Sequence, residues 1–217
     1  MSKVFQKTHD PIWHVLGVII AVTALQAVTN SSFLPYNKYL LIGIELTLLL
    51  ILIVITPSGY SKISRSRRTI MIGTIAVITV ANIFSLVLLL DALFYGGASI
   101  QGRDLLLNGT VIYLTNILMF GLWYWELDGG GPDRRATNTP MQEDFAFPQN
   151  TYPHLSKSHW QPGFVDYLYL SGTNVTNFAS ADTLPLTKRA KMLMLAQSMT
   201  AVLTIVLVVA KAISIIG

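Results

Sequence analysis

The sequence predicts an all-α membrane protein with about five transmembrane helices and a re-entrant half-helix before the last one. The 217 residues are 52% hydrophobic and only 12% charged, whereas soluble domains carry about 25% charged residues. Apolar runs long enough for membrane helices recur along the chain. The sequence contains no cysteine, so disulfide bonds and thiolate metal sites are excluded.

Residues 1–125 are expected to form a four-helix transmembrane part. Pro11 opens the first apolar run, and a proline at a helix start loses no hydrogen bond. No small-residue cleavage site clearly follows this run, so we interpret it as a retained helix. The last run ends in the aromatic belt Trp123-Tyr124-Trp125, which is typical of a membrane interface. The four runs lie at about 11–28, 38–55, 69–94 and 105–125.

A polar segment, 126–162, separates these helices from the C-terminal part. It contains about 37 residues, several of them glycine or proline, and shows little apolar periodicity. We therefore interpret it as an extended surface loop. Its paired carboxylates, Glu126/Asp128 and Glu143/Asp144, are interpreted as surface charge.

The C-terminal part, 163–217, carries the most informative pattern. Its amphiphilic run Phe164–Thr176 reaches only about 20 Å as a helix, too short for a bilayer core of roughly 30 Å. A polar segment follows, and then Pro185-Leu186-Thr187 opens a long apolar helix. This order predicts a re-entrant loop that feeds a spanning helix. Membranes tolerate such irregular backbone only where protein buries it or where it lines a wet cavity.

The same order of elements resembles the pore module of two-helix potassium channels, where a pore helix precedes the filter TTVGYGD, a Pro-Leu-Thr start and an inner helix. The resemblance implies a homotetramer around one pore that passes small ions. However, alanines replace both filter glycines, and a carbonyl-lined filter needs backbone angles that glycine reaches freely and alanine does not. Potassium selectivity is therefore not expected. The residues in the filter register are Thr176, Asn177, Phe178, Ala179, Ser180, Ala181 and Asp182.

A second resemblance concerns the run FGLWYWELDGGGP at 120–132. It is similar to a signature of a bacterial multi-pass membrane family of unknown function, in which it also precedes a DYLY…TDT-PLT element. The two resemblances together cover about the last half of the chain. They imply a location in the plasma (inner) membrane.

The distribution of basic residues predicts the orientation. With five spans and a cytoplasmic N-terminus, twelve Lys and Arg residues lie inside and three outside, as the positive-inside rule prefers. The re-entrant loop then enters from the cytoplasmic side, opposite to a potassium channel and like the pore loop of ionotropic glutamate receptors. Either the pore is inverted, or the number of spans differs from five.

Within the filter register, Asp182 is the strongest candidate for a functional residue. A ring of Asp side chains at a pore mouth concentrates cations, but an Asp here also suits the start of the final helix. Thr176, Asn177 and Ser180 either line a hydrated constriction or satisfy a kinked backbone. Phe178 acts either as a hydrophobic gate or as a packing anchor.

Three polar residues interrupt the apolar runs, namely Glu45, Asn82 and Asn116. Ionisable residues inside a membrane are costly to bury and indicate function by default. Glu45 is therefore either functional or a buried hydrogen-bond partner. The two asparagines are expected to form hydrogen bonds between helices.

The sequence contains no phosphate-binding loop, nucleophile elbow or zinc motif, so we predict neither an enzyme nor a cofactor or metal. The net charge of +4 is explained by basic residues that flank helices, which makes the lipid bilayer rather than nucleic acid the expected partner. We predict a tetrameric ion channel or a channel-like protein without a standard potassium filter. The alternatives are a non-conducting protein that packs or binds a partner, and a small secondary transporter, although the internal repeat usual in transporters is absent.

Overall fold

The computed structural model describes the residues 13–28, 38–55, 65–95, 102–135, 142–152, 154, 160–177 and 182–216. Within these ranges the protein is a bundle of helices with one small pair of strands. The longer helices are α1 (Trp13–Val28), α2 (Lys38–Ile55), α3 (Arg65–Tyr95), α4 (Gly102–Leu127) and α8 (Lys188–Ile216). The shorter elements are a 3-10 turn (Asp128–Gly130), α5 (Pro132–Arg135), β1 (Phe145–Ala146), α6 (Pro148–Thr151), α7 (Phe164–Thr176) and β2 (Leu184–Pro185).

Three of the described helices are long and apolar enough to cross a membrane, and they fit the predicted integral membrane protein. They comprise Arg68–Tyr95, Gly102–Gly130 and Lys188–Lys211. Trp13–Ala27 and Ile42–Val54 are apolar but shorter. A total of about five spans therefore depends on α1 and α2, whose apolar stretches are shorter than the other three.

Helix α4 is the central element, since α1, α3, α7 and α8 all pack against it. Two glycines allow the closest approaches. A Cβ atom on Gly109 would lie 2.5 Å from Cγ2 of Val208 on α8, and one on Gly121 would lie 3.3 Å from Cα of Leu168 on α7. Larger residues at these two positions would push α8 and α7 away from α4.

Helices α7 and α8 begin at the same end of α4 and run antiparallel to it. Near the start of α8, Arg189 Nη2 donates to the carbonyl oxygen of Leu127 over 3.2 Å. Deeper in the bundle, Ser171 of α7 donates to the carbonyl oxygen of Ile117 over 2.7 Å. Asn174 near the end of α7 donates to the carbonyl oxygen of Met194 over 3.1 Å. Both α7 and α8 therefore run from the C-terminal end of α4 towards its N-terminal end, so the chain comes back to the C-terminal end of α4 between them.

Parts of the segment 126–162 are folded onto this end of the bundle, so its interpretation as an extended surface loop is wrong for residues 126–131 and 144–147, most of which are buried. β1 pairs antiparallel with β2, with Phe145 opposite Pro185. Phe145 and Phe147 are buried and lie edge-on to the ring of Tyr167. The burial of these aromatic rings holds the strand pair over the start of α7.

Candidate functional site

The candidate site consists of three groups of polar residues around α7. The first group lies where α4 ends and α7 and α8 begin, and we call it the cap cluster. The second group is buried between α4, α7 and α8, and we call it the mid-bundle network. The third is the filter register, residues 176–182, of which the structure describes 176, 177 and 182; we refer to it as the turn, as the sequence predicts. The cap cluster comprises Arg68, Glu126, Asp128, Arg135, Asp144, Tyr167, Thr187 and Arg189; the mid-bundle network comprises Asn116, Tyr124, Ser171, Asn174 and Gln197.

A glycine turn creates the cap cluster by reversing the chain after α4. Gly129, Gly130 and Gly131 have φ angles of 56°, 84° and 96°, which residues with a Cβ rarely adopt. A Cβ atom on Gly131 would also lie 2.9 Å from the carbonyl oxygen of Glu126. The run of three glycines therefore allows a reversal that brings later segments back to the end of α4.

Asp128 connects three segments through its buried carboxylate. Its Oδ1 atom accepts hydrogen bonds from the backbone N–H groups of Asp144 (2.6 Å) and Phe145 (3.3 Å). Its Oδ2 atom accepts a hydrogen bond from the hydroxyl of Tyr167 over 2.6 Å. A carboxylate that accepts several hydrogen bonds is well satisfied although it is buried.

Asp144 provides a second buried carboxylate, which binds the start of α8. Arg189 Nε donates to Asp144 Oδ1 over 2.7 Å, and Arg189 Nη2 donates to Oδ2. The Thr187 hydroxyl donates to the same carboxylate. Asp144 is 1% exposed, whereas Arg189 is 51% exposed. This ion pair thus joins the strand segment to α8, and its arginine is partly exposed while its carboxylate is buried.

Three arginines satisfy the last carbonyl groups of α4, which lack partners within the helix. Arg135 Nη1 donates to the carbonyl oxygens of Trp125 (2.8 Å) and Asp128 (2.6 Å). Arg68 Nη2 donates to that of Glu126 over 3.5 Å, and its Nε pairs with the Glu126 carboxylate at 3.1 Å. As described above, Arg189 donates to the carbonyl oxygen of Leu127. Positive charge also suits the negative end of the helix dipole.

The interpretation of the loop carboxylates as surface charge is therefore wrong for Glu126, Asp128 and Asp144, which are 2%, 2% and 1% exposed. Only Glu143 among the four is exposed. The three buried carboxylates are stabilised by partners from distant segments, which local sequence does not indicate.

In the mid-bundle network, the amide of Gln197 is the central group. Its Oε1 atom accepts hydrogen bonds from the Tyr124 hydroxyl (2.5 Å) and from Asn174 Nδ2 (2.8 Å). Its Nε2 atom donates to Ser171 Oγ (2.6 Å) and to the Ser171 carbonyl oxygen (3.1 Å). All four side chains are buried. Gln197 thus fixes α7 between α4 and α8.

Of the polar residues predicted within apolar runs, only Asn116 belongs to this network. Its Nδ2 atom donates to the carbonyl oxygen of Gln197 over 3.1 Å. Asn82 lies elsewhere and donates from α3 to the carbonyl oxygen of Ile112 on α4 over 3.2 Å. Both are interhelical hydrogen bonds of the kind expected. Glu45 lies in the α1–α2 pair and is not part of the candidate site.

The turn after α7 is described only at its two ends. Thr176 and Asn177 are exposed, and so is Asp182. The Thr176 hydroxyl donates to the carbonyl oxygen of Gly172 over 3.0 Å. The remaining filter-register residues, Phe178, Ala179, Ser180 and Ala181, lie outside the described residues.

The interpretation of Asp182 as the cap of the final helix is wrong, because Thr187 takes that position. The Thr187 hydroxyl oxygen accepts a hydrogen bond from the N–H of Ala190 over 3.3 Å, as an N-cap residue does. Asp182 instead accepts a hydrogen bond from the Thr183 hydroxyl over 3.2 Å. The prediction of an Asp182 ring is untouched by this correction.

The mid-bundle network was missed in the sequence, although a signal for it exists. Gln197 interrupts an apolar run, and Ser171 and Asn174 lie three residues apart, which places them on one face of a helix.

No protein-family model, curated protein or solved structure matches the chain.

Proposed function

We propose that this protein is a multi-pass membrane protein in which α7, the turn 176–182 and α8 form a re-entrant, pore-loop-like unit. In this proposal four copies assemble so that their turns line a path for small ions. The path lacks a standard potassium filter. The observation that supports the proposal best is that α7 and α8 enter the bundle from the same end.

The depth of the turn argues for an assembly. Asn174 binds Gln197, which lies nine residues after the start of α8, or about 14 Å along the helix. The turn therefore begins near the middle of a hydrocarbon core of roughly 30 Å. Irregular backbone at this depth does not face lipid, yet Asn177, which follows the end of α7, is exposed on a single chain. Further copies of the chain around a wet path would provide the missing cover.

The basic residues support entry from the cytoplasmic side. Arg68, Arg135 and Arg189 all bind the C-terminal end of α4, and α5 and the first turn of α8 add further basic residues there. Arg103 lies at the opposite end, in the first turn of α4. By the positive-inside rule the end that holds the cap cluster is cytoplasmic, and so is the N-terminus.

The test begins with the subunit count of the purified protein in nanodiscs, measured by native mass spectrometry. A tetramer is expected, and a monomer would refute the shared path. Cation flux into liposomes is then compared between the wild type and Asp182→Asn, with Asp91→Asn as the matched control. Asp91 is an exposed carboxylate near the far end of α3. A ring of Asp182 side chains predicts a several-fold loss of cation flux in the first variant and no change in the control.

A non-conducting protein is the second candidate, and the mid-bundle network favours it. Ser171 and Asn174 on α7 are buried and form hydrogen bonds to α4 and α8. This arrangement stabilises packing and does not itself require a pore. A tetramer that passes neither cations nor anions in the liposome assay would support this candidate over the channel.

A further inference from the structure

A buried carboxyl group lies between α1 and α2, outside the candidate site. Glu45 is 0% exposed, and its Oε2 atom lies 3.0 Å from Oγ1 of Thr23 on α1. The buried side chains of Ile19, Val22 and Leu49 belong to the same helix pair. This surrounding is mainly apolar, so a charge on Glu45 needs compensation.

The hydroxyl of Thr23 has two oxygen neighbours but only one hydrogen. Its Oγ1 atom lies 2.9 Å from the carbonyl oxygen of Ile19 and 3.0 Å from Glu45 Oε2. A carbonyl oxygen only accepts hydrogen bonds, and an ionised carboxylate also only accepts them. If Glu45 is ionised, one of the two contacts lacks a hydrogen. If Glu45 is protonated, its O–H donates to Thr23 Oγ1, and the Thr23 hydroxyl donates to Ile19.

Compensating charge is absent from the described surroundings of Glu45. Its hydrogen-bond partners are the side chains of Thr23 and Gln26. Both are uncharged, so neither supplies a counter-charge. Glu45 belongs neither to the ion pair of Arg68 with Glu126 nor to that of Arg189 with Asp144. The titratable residues on Glu45's own helix and on the helices that pack against it are His14 on α1, Lys38 and Tyr39 on α2, and Arg65, Arg67, Arg68, Asp91 and Tyr95 on α3.

One oxygen of the carboxyl group also lacks a donor. Glu45 Oε1 is buried and accepts no hydrogen bond among the described residues. The oxygen of a neutral carboxylic acid tolerates this far better than one that shares a full negative charge.

We propose that Glu45 is a proton-binding site, held as a neutral carboxylic acid that donates a hydrogen bond to Thr23. The ligand of this site is a proton. The Thr23 hydroxyl accepts the hydrogen bond from the protonated carboxyl group and donates its own hydrogen bond to the carbonyl oxygen of Ile19. This site is separate from the turn 176–182, and it does not depend on the pore proposal.

Infrared spectroscopy of the full-length protein in nanodiscs at neutral pH tests this assignment. Protonated carboxyl groups absorb in a C=O stretching region that is separate from ionised ones. The wild type is expected to show this band, Glu45→Gln to lose it, and the exposed control Glu143→Gln to keep it. Absence of the band in the wild type, or its persistence in Glu45→Gln, would overturn the proposal.

A second pair of variants tests the hydrogen bond without removing the acid. Thr23→Val deletes the acceptor and is expected to move the band to higher frequency, whereas Thr23→Ser keeps the hydroxyl and leaves the band in place. The same band position in both variants would contradict the donation to Thr23. This comparison decides the question even if Glu45→Gln does not fold.

Discussion

Replacement of Gln197 by leucine tests whether the mid-bundle network holds α7 in place. The side chain of Gln197 makes four hydrogen bonds to Tyr124, Asn174 and Ser171. Leucine fills a similar volume but provides neither a donor nor an acceptor. Interhelical hydrogen bonds in membrane proteins contribute about 0.6–2 kcal/mol each, and some partners will find alternatives. We therefore expect a loss of about 2–4 kcal/mol in the free energy of unfolding.

The measurement is equilibrium unfolding in mixed detergent micelles, followed by tryptophan fluorescence. Thr200→Val is the matched control, since it also removes a polar group from α8. The Thr200 hydroxyl donates within its own helix, to the carbonyl oxygen of Ala196 over 2.9 Å, so its loss is expected to cost well below 1 kcal/mol. A Gln197→Leu protein within about 0.5 kcal/mol of the wild type would refute the reasoning.

A double-mutant cycle separates the contact itself from general packing. Tyr124→Phe removes the hydroxyl that donates to Gln197 Oε1. If the two residues interact directly, the combined variant loses less stability than the sum of the single losses, with a coupling of at least about 0.5 kcal/mol. Additive losses would place the effect elsewhere.

Two further predictions concern the helix contacts and the cap cluster. Gly109→Ala introduces a Cβ atom 2.5 Å from Val208 and is expected to lower the free energy of unfolding by about 1–3 kcal/mol through overpacking. In the control Gly73→Ala on α3, the new Cβ atom meets no atom within 4 Å, and the protein is expected to gain up to about 1 kcal/mol of stability. Thermal unfolding in detergent compares the two variants, and equal effects would contradict the close contact between α4 and α8. Asp144→Asn weakens the hydrogen bonds to Thr187 and Arg189. We expect the free energy of unfolding to fall by about 1–3 kcal/mol and hydrogen–deuterium exchange at the strand pair to become faster. Unchanged exchange there would show that the strands do not depend on this carboxylate.

The helices were largely predictable, because apolar runs and the residues that end them are local signals. The predicted bounds of α2 at 38–55 and of α7 at Phe164–Thr176 are those observed. The final helix was also predicted, but it was expected to open with Pro185-Leu186-Thr187, whereas α8 begins at Lys188 and Pro185 lies in β2. The bounds of α2 and α7 depend on apolar periodicity, which a single stretch of sequence reveals.

The cap cluster was not predictable, because its partners are far apart in sequence. Arg68 lies 58 residues from Glu126, and Arg189 lies 45 residues from Asp144. The carboxylates looked like surface charge, since nothing nearby in the sequence pairs with them. The predicted pore-lining role of Phe178, Ala179, Ser180 and Ala181 stays a prediction, because these residues lie outside the described ranges.

The three arginines on the end of α4 have a consequence for the order in which the protein is made. Arg68 precedes α4 in the chain, Arg135 follows it directly, and Arg189 arrives only with the last helix. During synthesis the carbonyl oxygen of Leu127 and the carboxylate of Asp144 therefore gain Arg189 as a hydrogen-bond donor only after α8 has been made. A chain that stops before α8 would leave the end of α4 incompletely bonded, so the cap cluster becomes complete only when the last helix is in place.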